Sequence, residues 1–154
     1  REGIMYGLKY VYPVGMSVVD VVIYKREKGE VYFLLGRKVR EDVYRTIGGF
    51  FDVGKDTSLE DAVLRELCEE VGDMRVGTPT YLMSKKIDDW RYRDNEHKIV
   101  SSLFVVEYIS GSPMPQDDIE EVKWIAESDL GRATIFSGHT AFLESAQTYL
   151  KILV

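Results

Sequence analysis

Arg65-Glu66-Leu67-Cys68-Glu69-Glu70-Val71-Gly72, a short way downstream of Gly48-Gly49, is the stretch on which the reading of this chain turns. On a helix, Glu66, Glu69 and Glu70 stand at i, i+3 and i+4 and share one face. Three neighbouring carboxylates repel one another, which is unfavourable for a helix that serves stability alone. A hard divalent cation such as Mg²⁺ or Mn²⁺ removes the conflict, because it takes oxygen ligands and usually keeps several waters. Arg65 can hold one carboxylate in place while the others face the ion. A solvated acidic face is the ordinary explanation of a charge run; the glycine pair upstream and the closing Gly72 shift the balance here.

The helix itself is predicted over Ser58 to Val71. Ser58 or Thr57 can cap its N-terminus, acidic residues fill the first turn, and Gly72 suits the left-handed position that ends it. Leu59, Ala62, Val63, Leu67 and Val71 form an apolar stripe at helical spacing, largely away from the Glu66 and Glu70 side. Cys68 lies beside Leu64 and Leu67 and reads as a small buried apolar residue. Outward from this helix, strands are predicted at Ser17 to Tyr24, Val31 to Leu35, Tyr44 to Ile47, Thr80 to Lys86, Ile99 to Tyr108 and Val122 to Ile125. A weaker edge strand spans Tyr6 to Tyr12, ended by Pro13. Lys25 to Glu30 reads as a hairpin loop. Thr140 to Leu153 is a terminal amphipathic helix with Phe142, Leu143, Ala146, Tyr149, Leu150 and Leu153 on its apolar side, opened by Gly138-His139. Strands on both sides of a central helix, with a second helix at the end, give an α/β class chain: an α/β/α sandwich around a mixed sheet.

The 154 residues suit one domain spanning 1–154. A 45% apolar fraction with 30% charge is ordinary for a globular protein, and the net charge of −6 disfavours a binder of nucleic-acid polymers. A small anionic substrate stays compatible with it, since a bound cation inverts the local field. One cysteine excludes a disulfide framework and a cysteine zinc site. With no run of membrane-spanning length and no signal-like segment, the expected setting is cytoplasmic and away from membranes.

Gly48-Gly49 through Gly72 resembles the Nudix box: glycine, five residues, glutamate, seven residues, then Arg-Glu-apolar-x-Glu-Glu-x-Gly-apolar. The second half matches at Arg65, Glu66, Leu67, Glu69, Glu70 and Gly72. The first half departs. Gly49 stands sixteen positions before Arg65 where the pattern wants fourteen, so the loop Gly54 to Ser58 is longer by two. The pattern's first glutamate would fall at Thr57, leaving Asp56 or Asp52 as substitutes, and Asp73 replaces the final apolar residue. The resemblance implies a Mg²⁺-dependent hydrolase, with Mn²⁺ as the alternative ion, that cleaves the pyrophosphate bond of a nucleoside diphosphate linked to another moiety. It implies Glu66, Glu69 and Glu70 as metal ligands, the Gly48 carbonyl as a completing oxygen, and Arg65, Glu66 and Glu69 as the catalytic set. A further acidic residue from a distant loop is expected among Asp94, Glu96, Asp117, Asp118, Glu120 and Glu121.

Asp89-Trp90-Arg91-Tyr92-Arg93-Asp94 interleaves aromatics with arginines. Trp90 or Tyr92 can stack on a base, and Arg91 or Arg93 can clamp a diphosphate; equally, the same residues can cover a sheet surface. Arg37 and Arg45 are weaker phosphate candidates, and His97 and His139 are given no role. The expected partner is a small nucleotide derivative, ADP-ribose first and a related dinucleotide next, with a homodimer left open. Two alternatives stand: a house-cleaning nucleoside triphosphate pyrophosphatase, and a non-catalytic domain that senses a nucleotide metabolite.

Overall fold

The computed structural model describes residues 13–153 and, before them, the paths of two short strands, β1 (Gly3–Met5) and β2 (Leu8–Tyr10), paired antiparallel. The expected strand at Tyr6 to Tyr12 coincides with β2 at its centre; Tyr6, Gly7, Val11 and Tyr12 lie outside the described residues. The main sheet is organised by β3 (Gly15–Glu27), in which every residue from Val18 to Tyr24 is buried. A strand covered on both faces reads as a near-continuous apolar run, as this one does apart from Asp20.

Successive side chains on β3 point to opposite faces and so divide the core in two. Val18, Val22 and Tyr24 join Phe142, Leu143, Ala146 and Leu150 of α2 (Thr140–Ile152). Val19, Val21 and Ile23 join Ala62, Val63, Leu67 and Val71 of α1 (Leu59–Val71). Each fully buried aliphatic side chain contributes about 1.5–3 kcal/mol, so both helices are held mainly by these stripes. The predicted α/β/α layering is therefore present.

β4 (Glu30–Lys38) and β10 (Ile119–Ala126) extend the sheet on one side of β3, and β9 (Lys98–Gly111) on the other. β3 and β9 run parallel while β3, β4 and β10 are antiparallel, which makes the sheet mixed. β5 (Tyr44–Arg45) pairs with β4, β6 (Ile47–Phe50) with β3, and both β7 (Met74–Val76) and β8 (Thr80–Ile87) with β9.

Several boundaries differ from expectation. The Lys25 to Glu30 loop is a two-residue turn, with Lys28 and Gly29 at φ 53° and 79°, so Glu27 and Glu30 still face each other in the ladder. The strand at Tyr44 to Ile47 breaks at Thr46 into β5 and β6. β7 was not predicted, since three residues carry no readable period. Cys68 is exposed, on the outer face of α1 rather than in its core, and Leu153 lies half-exposed just past the end of α2.

Candidate active site

The loop before α1 answers the question its extra length raises. Ser58 caps the helix by accepting from the Asp61 N–H, and Gly72 closes it at φ 79°. Asp56, between them and β6, is buried and receives two parallel bonds from Arg65, Nε to Oδ1 and a terminal nitrogen to Oδ2, each 2.8 Å. Such a fork-to-fork pair is the geometry guanidinium and carboxylate favour most. The Arg65 bonds hold Asp56 down at about 2, and Asp56 also accepts the Asp52 N–H. Of the two candidate substitutes for the box's missing glutamate, Asp56 is thus the one that grips the arginine. Arg65 further donates to the Phe50 carbonyl, to Glu66 and to Glu69, tying strand, loop and helix together.

Both glycines stand where a side chain would not fit. A Cβ on Gly49 would lie 2.1 Å from Glu66 Oε2, and one on Gly48 would lie 2.2 Å from the Val19 carbonyl. The two positions are bare so that the Glu66 carboxylate can lie over β6 and β6 can lie against β3. The Gly48 N–H donates to Glu70 Oε1 at 3.2 Å. Glu66 and Glu70 are correspondingly buried at the edge of the apolar stripe, not on the opposite side of the helix. Burial raises Glu66 above the usual carboxylate range. Burial, the hydrogen bond that the Glu70 carboxyl donates to the Asp118 carboxylate and the charge of Glu66 push Glu70 up to about 8. Burial would raise Asp118 as well, but Lys38 and the bond to Glu70 keep it low, so Glu70 is the partner that carries the proton.

Asp118 arrives there because its loop is fastened to the end of α1, with the Gln116 N–H on the Glu70 carbonyl and the Met114 N–H on the Val71 carbonyl. Asp117 and Asp118 line the same cleft as Glu66 and Glu70, whereas Glu120 and Glu121 bind Arg37 at the sheet edge. Glu69 is two-fifths exposed and shares one Arg65 terminal nitrogen with Glu66, at 3.1 Å and 3.2 Å. Among the described residues, no three carboxylate, imidazole or thiol groups stand together as a ready-made metal centre. The donor chemistry still fits a hard divalent ion, because two buried carboxylates that disfavour each other's charge are what such an ion relieves.

The cleft has a volume of about 740 Å³ and reaches past the glycine pair to the α2 side of the sheet. The predicted substrate residues are divided by it. Arg91 lines the cleft but is paired with Asp89, the shortest contact being 2.6 Å. Arg45 also lines it, yet is buried, bound by both oxygens of Glu41 and stacked 4.0 Å from the Phe136 ring. Arg37 is turned to the outer edge, where Glu120, Glu121 and the Glu41 carbonyl satisfy it, so it does not reach the cleft. Trp90 and Arg93 border a separate hollow of about 310 Å³ with Lys85 and Lys86, beyond Ile87 and Phe136. The one-residue offset around the turn at Trp90–Tyr92 sends neighbouring side chains to different hollows.

His139, given no role from the sequence, is buried between Phe136 and Phe142, with Thr46 and Asp20 beside it and Ser101 bonded to Asp20. Sequence reasoning passed over this group. The interruption of the apolar run in β3 by Asp20 was the signal available.

Structures of known proteins share this architecture. The NUDIX domain of Shewanella oneidensis NrtR, solved with ADP ribose, superposes with a TM-score of 0.75 at 22% identity, over 90% of each chain. An Ap4A hydrolase from C. elegans gives 0.70 at 15% identity, covering 88% of this chain and 98% of that one. A MutT NUDIX hydrolase from Burkholderia pseudomallei gives 0.66 at 24% identity, covering 85% and 97%. No curated protein matches the sequence. At these identities the likeness is one of fold, but the NUDIX domain model matches residues 16–145 of the sequence itself. The chain belongs to the Nudix family.

Proposed function

We propose that this protein is a divalent-cation-dependent pyrophosphohydrolase acting on a nucleoside diphosphate linked to a second moiety, with ADP-ribose or a related dinucleotide as first substrate. The observation that carries the reading is the pair Glu66 and Glu70, buried against two glycines at the mouth of a cleft of nucleotide size. Each carboxylate is disfavoured by its burial despite its bond to Arg65 or to the Gly48 N–H, which is the pattern of groups placed for chemistry. Glu66 and Glu70 would hold the cation, with Asp118 beside them and Glu69 within one helical turn. Such a cation neutralises phosphate oxygens and activates water for in-line displacement at phosphorus. Arg65 positions Glu66 and Glu69, and Asp56 positions Arg65. The relatives described above include one solved with ADP ribose and one named for Ap4A hydrolysis, which support a nucleotide diphosphate as the class to test.

A second reading, a binding domain without turnover, draws on one observation: Glu69 is bound by Arg65, and among the described residues no group of three acidic, imidazole or thiol side chains is already arranged to hold a metal. One experiment separates the two. The purified protein is supplied with Mg²⁺ or Mn²⁺ and a panel of nucleoside diphosphate derivatives and nucleoside triphosphates, with product nucleotides separated and phosphate measured. Turnover that needs the metal and is lost in Glu66→Gln and Glu70→Gln supports the hydrolase. Tight binding with no turnover of any compound supports the binding domain.

A further inference from the structure

The α2-side half of the cleft is floored by a polar cluster that phosphate chemistry does not use. Asp20 sits in the middle of β3 between Val18 and Val22, on a face otherwise given to the apolar core. Its Oδ1 accepts from Thr46 Oγ1 at 2.6 Å and its Oδ2 from Ser101 Oγ at 2.5 Å. Among the described residues no lysine or arginine forms an ion pair with it; the nearest basic group is His139, whose Nε2 stands 3.6 Å from Oδ1. His139 Nδ1 accepts the Thr46 N–H, so the ring proton is on Nε2, directed at Asp20 but too far for a hydrogen bond. Asp20 is therefore a buried carboxylate steadied by two hydroxyls and no cation, with acceptor capacity left over. A position that served packing alone would be better filled by another valine, because removing a carboxylate from water costs several kcal/mol.

The space around it is also suggestive of a ligand. A Cβ on Gly48 would fall 2.7 Å from Asp20 Oδ1, so the floor is open because position 48 carries no side chain. Asp20, Thr46 and His139 line the cleft together with Ile87, Ile99 and Phe136, an apolar surround suited to a flat ring. The arginines of this half, Arg45 and Arg91, are already neutralised by Glu41 and Asp89. Lys38, which also lines the cleft, is bound to Asp118 beside Glu70, and Asp20 itself repels a phosphate. The two halves of the cleft thus ask for different chemistry.

We infer that Asp20, presented with Thr46 and His139, is the specificity subsite of the cleft and receives a neutral N–H or O–H donor on the nucleoside part of the ligand. This rests on the reading that the cleft takes a nucleotide derivative, and it fixes the direction in which the ligand lies: phosphates toward Glu66 and Glu70, nucleoside toward Asp20. The donor has two sources, the exocyclic amine of a base or a ribose hydroxyl.

Calorimetry with saturating Mg²⁺ distinguishes them, using mononucleotides that contain no anhydride bond to be hydrolysed. AMP is compared with purine riboside 5′-monophosphate, which lacks the amine and gains no other donor, and with its 2′-deoxy and 3′-deoxy forms, which each lack one hydroxyl. The wild type should bind at least one of the three analogues about tenfold or more weakly than AMP, because a site built around a donor is left unpaired without it. Asp20→Asn should collapse that ratio; loss against purine riboside 5′-monophosphate identifies the amine, and loss against a deoxy form the hydroxyl. Equal affinity for all four compounds in the wild type overturns the inference without reference to any variant, as does failure to bind any of them. So does an Asp20→Asn protein that folds and keeps the wild-type ratios. Turnover of nucleoside diphosphate derivatives is followed separately. Selective binding without turnover would defeat the hydrolase and support the subsite, and turnover without selectivity would do the reverse.

Discussion

Glu70→Gln should make the metal-free protein more stable, and increasingly so as pH rises. Glu70 titrates near 4.5 in the unfolded chain and about 8 in the folded protein, chiefly because burial disfavours its charged form. The sign follows from proton binding: between these values the folded state holds a proton that the unfolded state has released, so stability falls as pH increases. Below 4.5 the penalty is absent, and above about 8 it is complete. Each pH step well inside that window costs about 1.4 kcal/mol and less near its two ends, which makes the loss between pH 5 and pH 8 about 3 kcal/mol. Glutamine resembles the protonated acid: its carbonyl can still accept the Gly48 N–H and its amide can donate to Asp118. Urea unfolding in EDTA at pH 5, 6, 7 and 8, for wild type and Glu70→Gln, reports Glu70 together with its coupled neighbours Asp118 and Glu66, while titrations elsewhere in the chain cancel in the difference. The variant should gain on the wild type across the series by about 3 kcal/mol in all. Parallel pH dependences would refute the claim that Glu70 is held protonated by burial.

Three further outcomes test the site. Gly49→Ala should cut turnover of the best substrate severely, since its Cβ would meet Glu66 Oε2 at 2.1 Å and the carboxylate must move; initial rates against the thermal midpoint separate this from unfolding. Asp56→Asn should weaken both folding and turnover by releasing Arg65. Because Asp56 is held at about 2, its contribution is present above the ordinary aspartate range and lost as pH falls through 2, so the wild type but not the variant should lose stability between pH 4 and pH 2 in melting experiments. Trp90→Ala should leave the thermal midpoint unchanged, the side chain being 62% exposed, and should raise KM only for substrates long enough to reach the Lys85–Arg93 hollow; an equal rise for ADP-ribose and for dinucleotides would place Trp90 in the main cleft instead.

Most of the fold was legible because its elements are periodic. The Leu59, Ala62, Val63, Leu67 and Val71 stripe, the Ser58 cap and the Gly72 stop define α1, and the β-branched run after Ser17 defines the central strand. β7 and the split at Thr46 were not legible, being shorter than any period. The substrate residues fared unevenly for a related reason. An arginine in a sequence shows a charge and a reach but not its partner, and Arg37, Arg45 and Arg91 are each taken by acids on the chain.

By itself the sequence determined the helix, its acidic set and the layered α/β class, because caps, stripes and i, i+4 spacings act within a few residues along one element. Only the tertiary structure decided that Asp56 pairs with Arg65, that Arg65 also binds Glu69 while Asp118 joins Glu70, and that Asp20 and His139 meet beneath the cleft. Those pairs are set by loops and by strands up to 119 positions apart in the chain, from Asp20 to His139. Distance along the sequence carries no information about such contacts; they follow from how two packed layers bring the ends of different elements to the same hollow.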